Sequence, residues 1–272
     1  MEMTQNYDFL KNIKLVCLDM DGTIYKAGRL FDCTLPFLDF LRRNDIKYLF
    51  LSNNSSFSTD MYVQKLRKMG IDAAADDFYI STHYTIDYIK RKMPHVKNIY
   101  LLAIPEVAAE FEAAGFNLTD KDVDAFVLAF DKTLTYEKIC KGAFFLRSGV
   151  PSIATHPDVF CPCAPDEWLV DCGAFISMLE TSTDKKMTVL GKPDPGILRH
   201  AALRYGITNM EQVMMIGDRL STDISVGVNA NAHSCHINAE VNEFSKETVI
   251  PDMAVHDLGI LHDIWANITE QK

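Results

Sequence analysis

The sequence has no apolar run long enough to cross a bilayer, no low-complexity tract and no obvious repeat. Neither a membrane span nor a repeat array is expected to organise it. Basic residues are in short supply: 27 Lys and Arg against 37 Asp and Glu leave a formal charge of −10. A protein that grips a phosphate backbone needs clustered Lys and Arg, so nucleic acid is not an expected partner. The seven cysteines are odd in number and mostly scattered. That argues against a disulfide framework and for a reducing cytoplasm. The N-terminal MEMTQNYDFLKN is polar and partly acidic, unlike the basic-then-apolar layout of a secretory leader. What remains is a chain of 272 residues, 48 % of them hydrophobic, enough for a sizeable core in one large domain or two modest ones.

Short apolar runs alternate with stretches of helical period. Strands are predicted over 13–19 (IKLVCLD), 46–51 (IKYLFL), 98–102 (NIYLL), 124–129 (DAFVLA), 187–190 (MTVL) and 212–216 (QVMMI). Helices are predicted over 34–43, 58–69, 105–114, 135–147 and 196–205. The alternation indicates a doubly wound α/β protein with mainly parallel sheets. In such sheets ligands bind just outside the carboxyl ends of the strands. The polar residues of interest all follow apolar strands: Asp19 closes LVCL, Ser52 closes YLFL, Lys192 follows TVLG, and Asp218 follows VMMIG. Two acids, a hydroxyl and an amine are thus directed to one rim.

Each piece alone is ordinary. Asp19 and Asp21 could be a cap and an ion-pair partner, but residues i and i+2 of a fading strand point the same way. Both carboxylates can then face one pocket, and paired acids in unlike environments can act as nucleophile and proton donor. Gly22 lets the backbone turn and come close to an anionic ligand. The hydroxyl, amides and N–H groups of LSNNSS, 51–56, suit a phosphate at a strand-to-helix junction, although a plain capped helix start reads similarly. Lys192 in GKPDPG would pass for a solvated charge without its neighbours. Asp218 and Asp223 in MIGDRLSTDI add an oxygen-rich set that suits Mg²⁺. Cys161, Cys163, Cys172 and His156 match no standard zinc spacing.

Asp19-Met20-Asp21-Gly22-Thr23, Ser52-Asn53-Asn54, Lys192-Pro193, and Gly217-Asp218 with Thr222-Asp223 together resemble the motifs of the haloacid dehalogenase superfamily of phosphotransferases. The resemblance runs from about residue 13 to the C-terminal region. It is strongest to the NagD / para-nitrophenyl phosphatase-like branch, whose ATNPD-type cap segment is similar to ATHPDVFCP, 154–162. This chain departs from the branch at His156, where Asn is common, in CAPDEWLVDCGAF (163–175), and at Ser56, where some relatives carry Arg.

The resemblance implies a Rossmann-like core of residues 1–81 and 184–272, and an inserted α/β cap of the C2 type over 82–183. It implies Asp19 as nucleophile and Asp21 as general acid and base. Gly22, Ser52, Asn53, Asn54 and Lys192 would hold the phosphoryl group. Mg²⁺ would be held by Asp19, the main-chain carbonyl of Asp21, and Asp218. Asp223 would stand behind them, orienting Lys192 or a metal water. Cys161, before Pro162, falls in the loop that meets the leaving group in capped relatives. The expected activity is hydrolysis of a small phosphorylated metabolite through an aspartyl-phosphate. Cap-mediated dimers occur among such relatives, so a homodimer through the cap is a further expectation; a membrane partner is not. Dehalogenating and phosphonate-cleaving members generally lack the second acid, so Asp21 points to phosphate esters. Two other classes of protein compete. A receiver-like signalling domain also phosphorylates an aspartate, but needs about half this length. A non-catalytic phosphometabolite binder would keep the site without turnover.

Overall fold

The computed structural model describes residues 7–164, 167–237 and 249–270. In chain order the first elements are β1 (Leu15–Leu18), β2 (Tyr25–Lys26), β3 (Arg29–Leu30), α1 (Thr34–Arg43), β4 (Lys47–Ser52), α2 (Thr59–Lys68), β5 (Phe78–Ile80) and α3 (Ser81–Lys92). Next come β6 (Asn98–Leu102), α4 (Pro105–Ala113), β7 (Asn117–Leu118), β8 (Ala125–Leu128), α5 (Tyr136–Ser148), β9 (Ser152–Ala154), β10 (Phe160–Ala164), β11 (Glu167–Val170) and α6 (Cys172–Thr183). The chain continues through β12 (Thr188–Val189), α7 (Pro195–Leu203), β13 (Val213–Gly217), α8 (Ser225–Ala230), β14 (His233–Ile237), β15 (Met253–Val255) and α9 (Leu258–Glu270). Two compact units emerge: Met1–Leu51, Met69–Ile71 and Pro193–Lys272 form the first, and Ser52–Lys68 with Asp72–Lys192 the second.

In the first unit the strands run in the order β15-β14-β13-β1-β4. All neighbours are parallel, with Leu18 opposite both Ile216 and Phe50. Every residue of LVCL in β1 and VMMIG in β13 is buried. Unbroken apolar runs of this kind belong to parallel strands covered on both faces. One cover is α1, which buries Phe37, Leu38, Phe40 and Leu41 along one stripe and keeps Arg42 and Arg43 in its last turn. There they oppose the negative end of the helix dipole. The Phe37 and Phe40 rings lie 6.4 and 5.9 Å from that of Trp265 on α9, which is fully buried.

In the second unit a parallel sheet runs β12-β9-β8-β6-β7. Its core gathers Leu102, Phe126, Leu128, Phe145, Leu146 and Leu179 from strands and from α5 and α6, with Phe130 from the segment after β8. Caps set the helix ends. The Thr135 hydroxyl accepts from Lys138 N ahead of α5, and Asp171 accepts from Cys172 N ahead of α6. An antiparallel hairpin, β10–β11, pairs Phe160 with Val170 and Cys161 with Leu169, and its register shifts between Pro162 and Ala164. Pro165 and Asp166 of the CAPDEWLVDCGAF stretch lie outside the described residues, as do residues 1–6 of the N-terminal stretch. All seven cysteines are free. Among the described residues no helix is long and apolar enough to cross a membrane.

Candidate active site

The acids lie in the first unit. Asp19 directly follows β1, and its N–H still belongs to the ladder, donating to Ile216 O on β13 at 2.8 Å. The chain then curls about the Met20 carbonyl, which accepts from Ile24 N at 2.9 Å and from Thr23 N and Tyr25 N at 3.3 Å. Met20 is buried while Asp19 is half-buried and Asp21 exposed, the alternation that the strand ending predicts. Asp218 directly follows β13, and its carbonyl oxygen is bonded to His236 Nε2 at 3.0 Å. Asp223 sits on a single wide π-helical turn, Leu220–Ile224, and accepts from Arg219 N at 3.1 Å. Turns of this type recur at functional sites because they re-aim side chains.

Asp19, Asp218 and Asp223 each offer a carboxylate oxygen, and the three oxygens lie within 4.8 Å of one another. Gly22 makes room for one of them. It has φ +88°, and a Cβ there would stand 2.7 Å from Asp218 Cγ. A side chain at 22 would occupy the space of the Asp218 carboxylate. This all-oxygen donor set fits a small hard dication such as Mg²⁺. The sequence placed Gly22 against an anionic ligand; the group it admits here is the carboxylate of Asp218.

The hydroxyl and the amine that the sequence singles out lie in the second unit. Ser52 ends β4, and its Oγ lies 3.2 Å from Tyr62 Oη and accepts from Asn54 N at 3.2 Å. Asn54 Oδ1 accepts from Ser56 N (2.8 Å) and Ser56 Oγ (2.9 Å), an Asx-type turn that shapes SNNSS. Asn53 reaches much further along the chain. Its Nδ2 donates to Lys192 O at 2.9 Å, and its Oδ1 accepts from Lys192 N at 2.7 Å. One carboxamide therefore holds both backbone groups of Lys192, which is almost fully buried. Cys161 Sγ lies 3.7 Å from Asn54 Nδ2, and Cys161 also packs against the core of this unit.

Sequence reasoning passed over the surroundings of His156. This ring is fully buried, with Ser55 Oγ 3.0 Å and Asp171 Oδ1 3.6 Å from Nε2, and Asp158 Oδ2 3.6 Å from Nδ1. The signal was present in ATHPD, where an acid follows the histidine by two residues. The cysteines form no metal cluster with His156 among the described residues. Burial pushes the Cys172 thiol up to about 12, with the nearby Asp171 charge adding to the effect. Burial likewise raises Cys235. Neither thiol is a nucleophile at neutral pH.

Comparison with known proteins now bears on this geometry. Residues 16–117 match the family described as haloacid dehalogenase-like hydrolase, and residues 189–261 match the one described as HAD-hydrolase-like. An acid sugar phosphatase of Staphylococcus epidermidis is 32 % identical over 256 residues, 92 % of this chain and 97 % of that protein. The crystal structure of a 4-nitrophenylphosphatase from Thermotoga maritima is 35 % identical, with a TM-score of 0.88 over 94 % of this chain and 98 % of that one. A protein described as a putative nagD protein is 34 % identical, with a TM-score of 0.86 over 92 % of this chain and 98 % of its own. These relatives favour the enzyme over the receiver and the non-catalytic binder. With its motifs, its Rossmann-like α/β fold and these relatives, the chain belongs to the haloacid dehalogenase superfamily as a NagD / para-nitrophenyl phosphatase-like phosphatase, a phosphoric monoester hydrolase.

Proposed function

We propose that this phosphatase hydrolyses small phosphate monoesters, sugar phosphates first among them, through an aspartyl-phosphate on Asp19. The observation that carries the reading is the convergence of Asp19, Asp218 and Asp223 at the ends of two paired parallel strands, with Gly22 opening the space between. The sugar phosphate class is supported by the staphylococcal relative's name. We assign the catalytic core to residues 1–81 and 184–272 and the cap to 82–183. The seven free thiols suit a reducing cytoplasm.

The chemistry follows from the charges. A phosphate monoester is dianionic and repels a carboxylate nucleophile. Asp19, the Asp21 carbonyl and Asp218, with Asp223 behind them, would hold Mg²⁺, which would supply the neutralising charge. Lys192 adds a fixed cation, and Ser52 donates a hydroxyl to a phosphoryl oxygen. The Asp19 carboxylate attacks phosphorus, a new P–O bond forms, and the bond to the leaving oxygen breaks. Asp21 gives that oxygen its proton. Asp21, now a carboxylate, takes a proton from the water that attacks phosphorus next. The Asp19–phosphorus bond then breaks, restoring Asp19 and releasing inorganic phosphate. The exposure of Asp21 suits it to proton exchange with water. Asn53 and Asn54 act by building the loop that carries the grip, and Cys161 borders that loop where a leaving group is read.

A panel of sugar phosphates, nucleotides and p-nitrophenyl phosphate, scored by phosphate release with Mg²⁺, tests the reading. Asp19→Asn serves as the blank. Turnover of at least one sugar phosphate by wild type alone is expected. No release from any ester by a folded wild type would overturn it.

A further inference from the structure

The segment Thr155–Asp158 is pinned on two sides. Leu190 N donates to Ala154 O at 2.9 Å, and Gly173 N in the first turn of α6 donates to Asp158 O at 2.7 Å. The loop ahead of Lys192 lies directly on it. Gly191 has φ +77°, and a Cβ there would stand 2.7 Å from Thr155 O, 2.8 Å from Asn53 Oδ1 and 2.9 Å from His156 Cβ. A shift of Thr155–Asp158 therefore passes to Gly191 and Lys192, because close-packed atoms transmit displacement.

Asp158 is joined to the same group from the other side. Its Oδ1 accepts from Asn53 Nδ2 at 3.3 Å, the hydrogen that Asn53 does not give to Lys192 O. The Asn53 carboxamide is thus fixed by one donor, Lys192 N, and two acceptors, Lys192 O and Asp158. No flipped amide satisfies all three. Behind Asp158 stands His156, with the Asp158 and Asp171 carboxylates near different ring nitrogens. The ring is a spacer between Asp158, the Asp171 cap of α6 and Ser55.

We infer that Asp158, backed by His156, is a positioning residue for Lys192 and acts through the Asn53 carboxamide. This rests on the reading above that Lys192 grips the phosphoryl group. An anionic acceptor strengthens the Nδ2–H bond and holds the amide plane that both backbone groups of Lys192 require. Without it the Lys192 peptide is looser, and its ammonium is held less well at its working position.

The test uses the full chain as wild type, Asp158→Asn, Asp158→Ala, Asn53→Ala and the double variant Asn53→Ala/Asp158→Ala. Two quantities are read: hydrogen exchange at the Lys192 amide, and kcat for p-nitrophenyl phosphate. In Asp158→Ala the Lys192 amide should exchange at least about tenfold faster, the change expected on losing a hydrogen bond to a charged group. Turnover should fall by a similar factor. Asp158→Asn keeps the volume and an acceptor oxygen, and should fall between Asp158→Ala and wild type. In the Asn53→Ala background the Asp158 change should add nothing to either quantity. Unchanged Lys192 exchange in a folded Asp158 variant would overturn the inference, as would a full additional loss in the double variant. If wild type turned over no ester while the exchange result held, the phosphatase mechanism would fail and the positioning role would stand.

Discussion

Replacing Gly22 by alanine puts a methyl group where the Asp218 carboxylate needs space. Two costs separate cleanly. An L-residue at φ +88° carries backbone strain of about 1–2 kcal/mol. For a chain of this size that lowers the melting temperature by roughly 2–8 °C. The second cost is steric. The new Cβ would stand 2.7 Å from Asp218 Cγ, whereas unstrained carbon–carbon contacts begin near ~3.5 Å. The carboxylate must retreat by about 1 Å, a displacement that costs on the order of 10²-fold when a catalytic group is misplaced. Asp218 cannot simply carry its backbone away, because its carbonyl is bonded to His236. Gly28→Ala is the control: φ is +76° there, but nothing lies within 4 Å of the added carbon. Both variants should melt lower, and only Gly22→Ala should need more Mg²⁺ and turn over about 10²-fold more slowly. Melting curves and Mg²⁺ titrations of phosphate release give both numbers. Wild-type metal dependence and turnover in Gly22→Ala would refute the reasoning.

Four further outcomes follow. EDTA should abolish phosphate release and Mg²⁺ restore it, while Ca²⁺ supports it poorly because its looser coordination disturbs in-line geometry; full activity in chelator would contradict this. Asp19→Asn should fold without turnover, and Asp21→Asn should slow ordinary esters by at least ~10²-fold but activated aryl esters less in the first step; wild-type rates on both by Asp21→Asn would remove its role. A bulky residue in place of Cys161 should reorder kcat/KM among esters while sparing an activated aryl phosphate, since a group beside the leaving group alters only differential binding; an unchanged order in a folded variant would return Cys161 to packing alone. Asp124, held below the usual carboxylate range by the Asn98 and Lys97 backbone N–H groups, should stabilise the fold above the unfolded carboxylate pKa, with the contribution lost as pH falls through the lower folded value. The melting difference between wild type and Asp124→Ala should be full at neutral pH and vanish at strongly acidic pH; a pH-independent difference would count against it.

Long, strongly patterned elements were legible in the sequence. The helix at 34–43 and the strand at 98–102 are found at those bounds, because each carries its own periodic apolar set. The buried runs LVCL and VMMIG were equally plain. Elements whose apolar pattern is completed by neighbours were not. β9 is three residues long, β14 reads HSCHI with two polar rings, and β10 contains Pro162 within FCPCA. Proline within a run argues against a strand unless the strand is an edge, which this hairpin provides. The acids at the ends of β1 and β13 could be read because strand ends and ligands coincide in parallel sheets. The network of Asn53, Asp158 and His156 could not. It joins residues about a hundred positions apart, and no local pattern marks a carboxamide that will bind a distant backbone.

Strand order also dictates when the enzyme can be finished. β1 lies between β4, which follows it closely in the chain, and β13, whose Val213 pairs with Leu15. At a synthesis rate of ~5–20 residues per second, roughly 8–33 s separate the emergence of these two partners. Throughout that interval the apolar LVCL segment can have a neighbour on one edge only, and its other edge is open to mispairing. Asp19 therefore rides on a strand that stays incomplete while the whole intervening region is made, and nascent chains stalled before residue 213 should be the ones a chaperone holds.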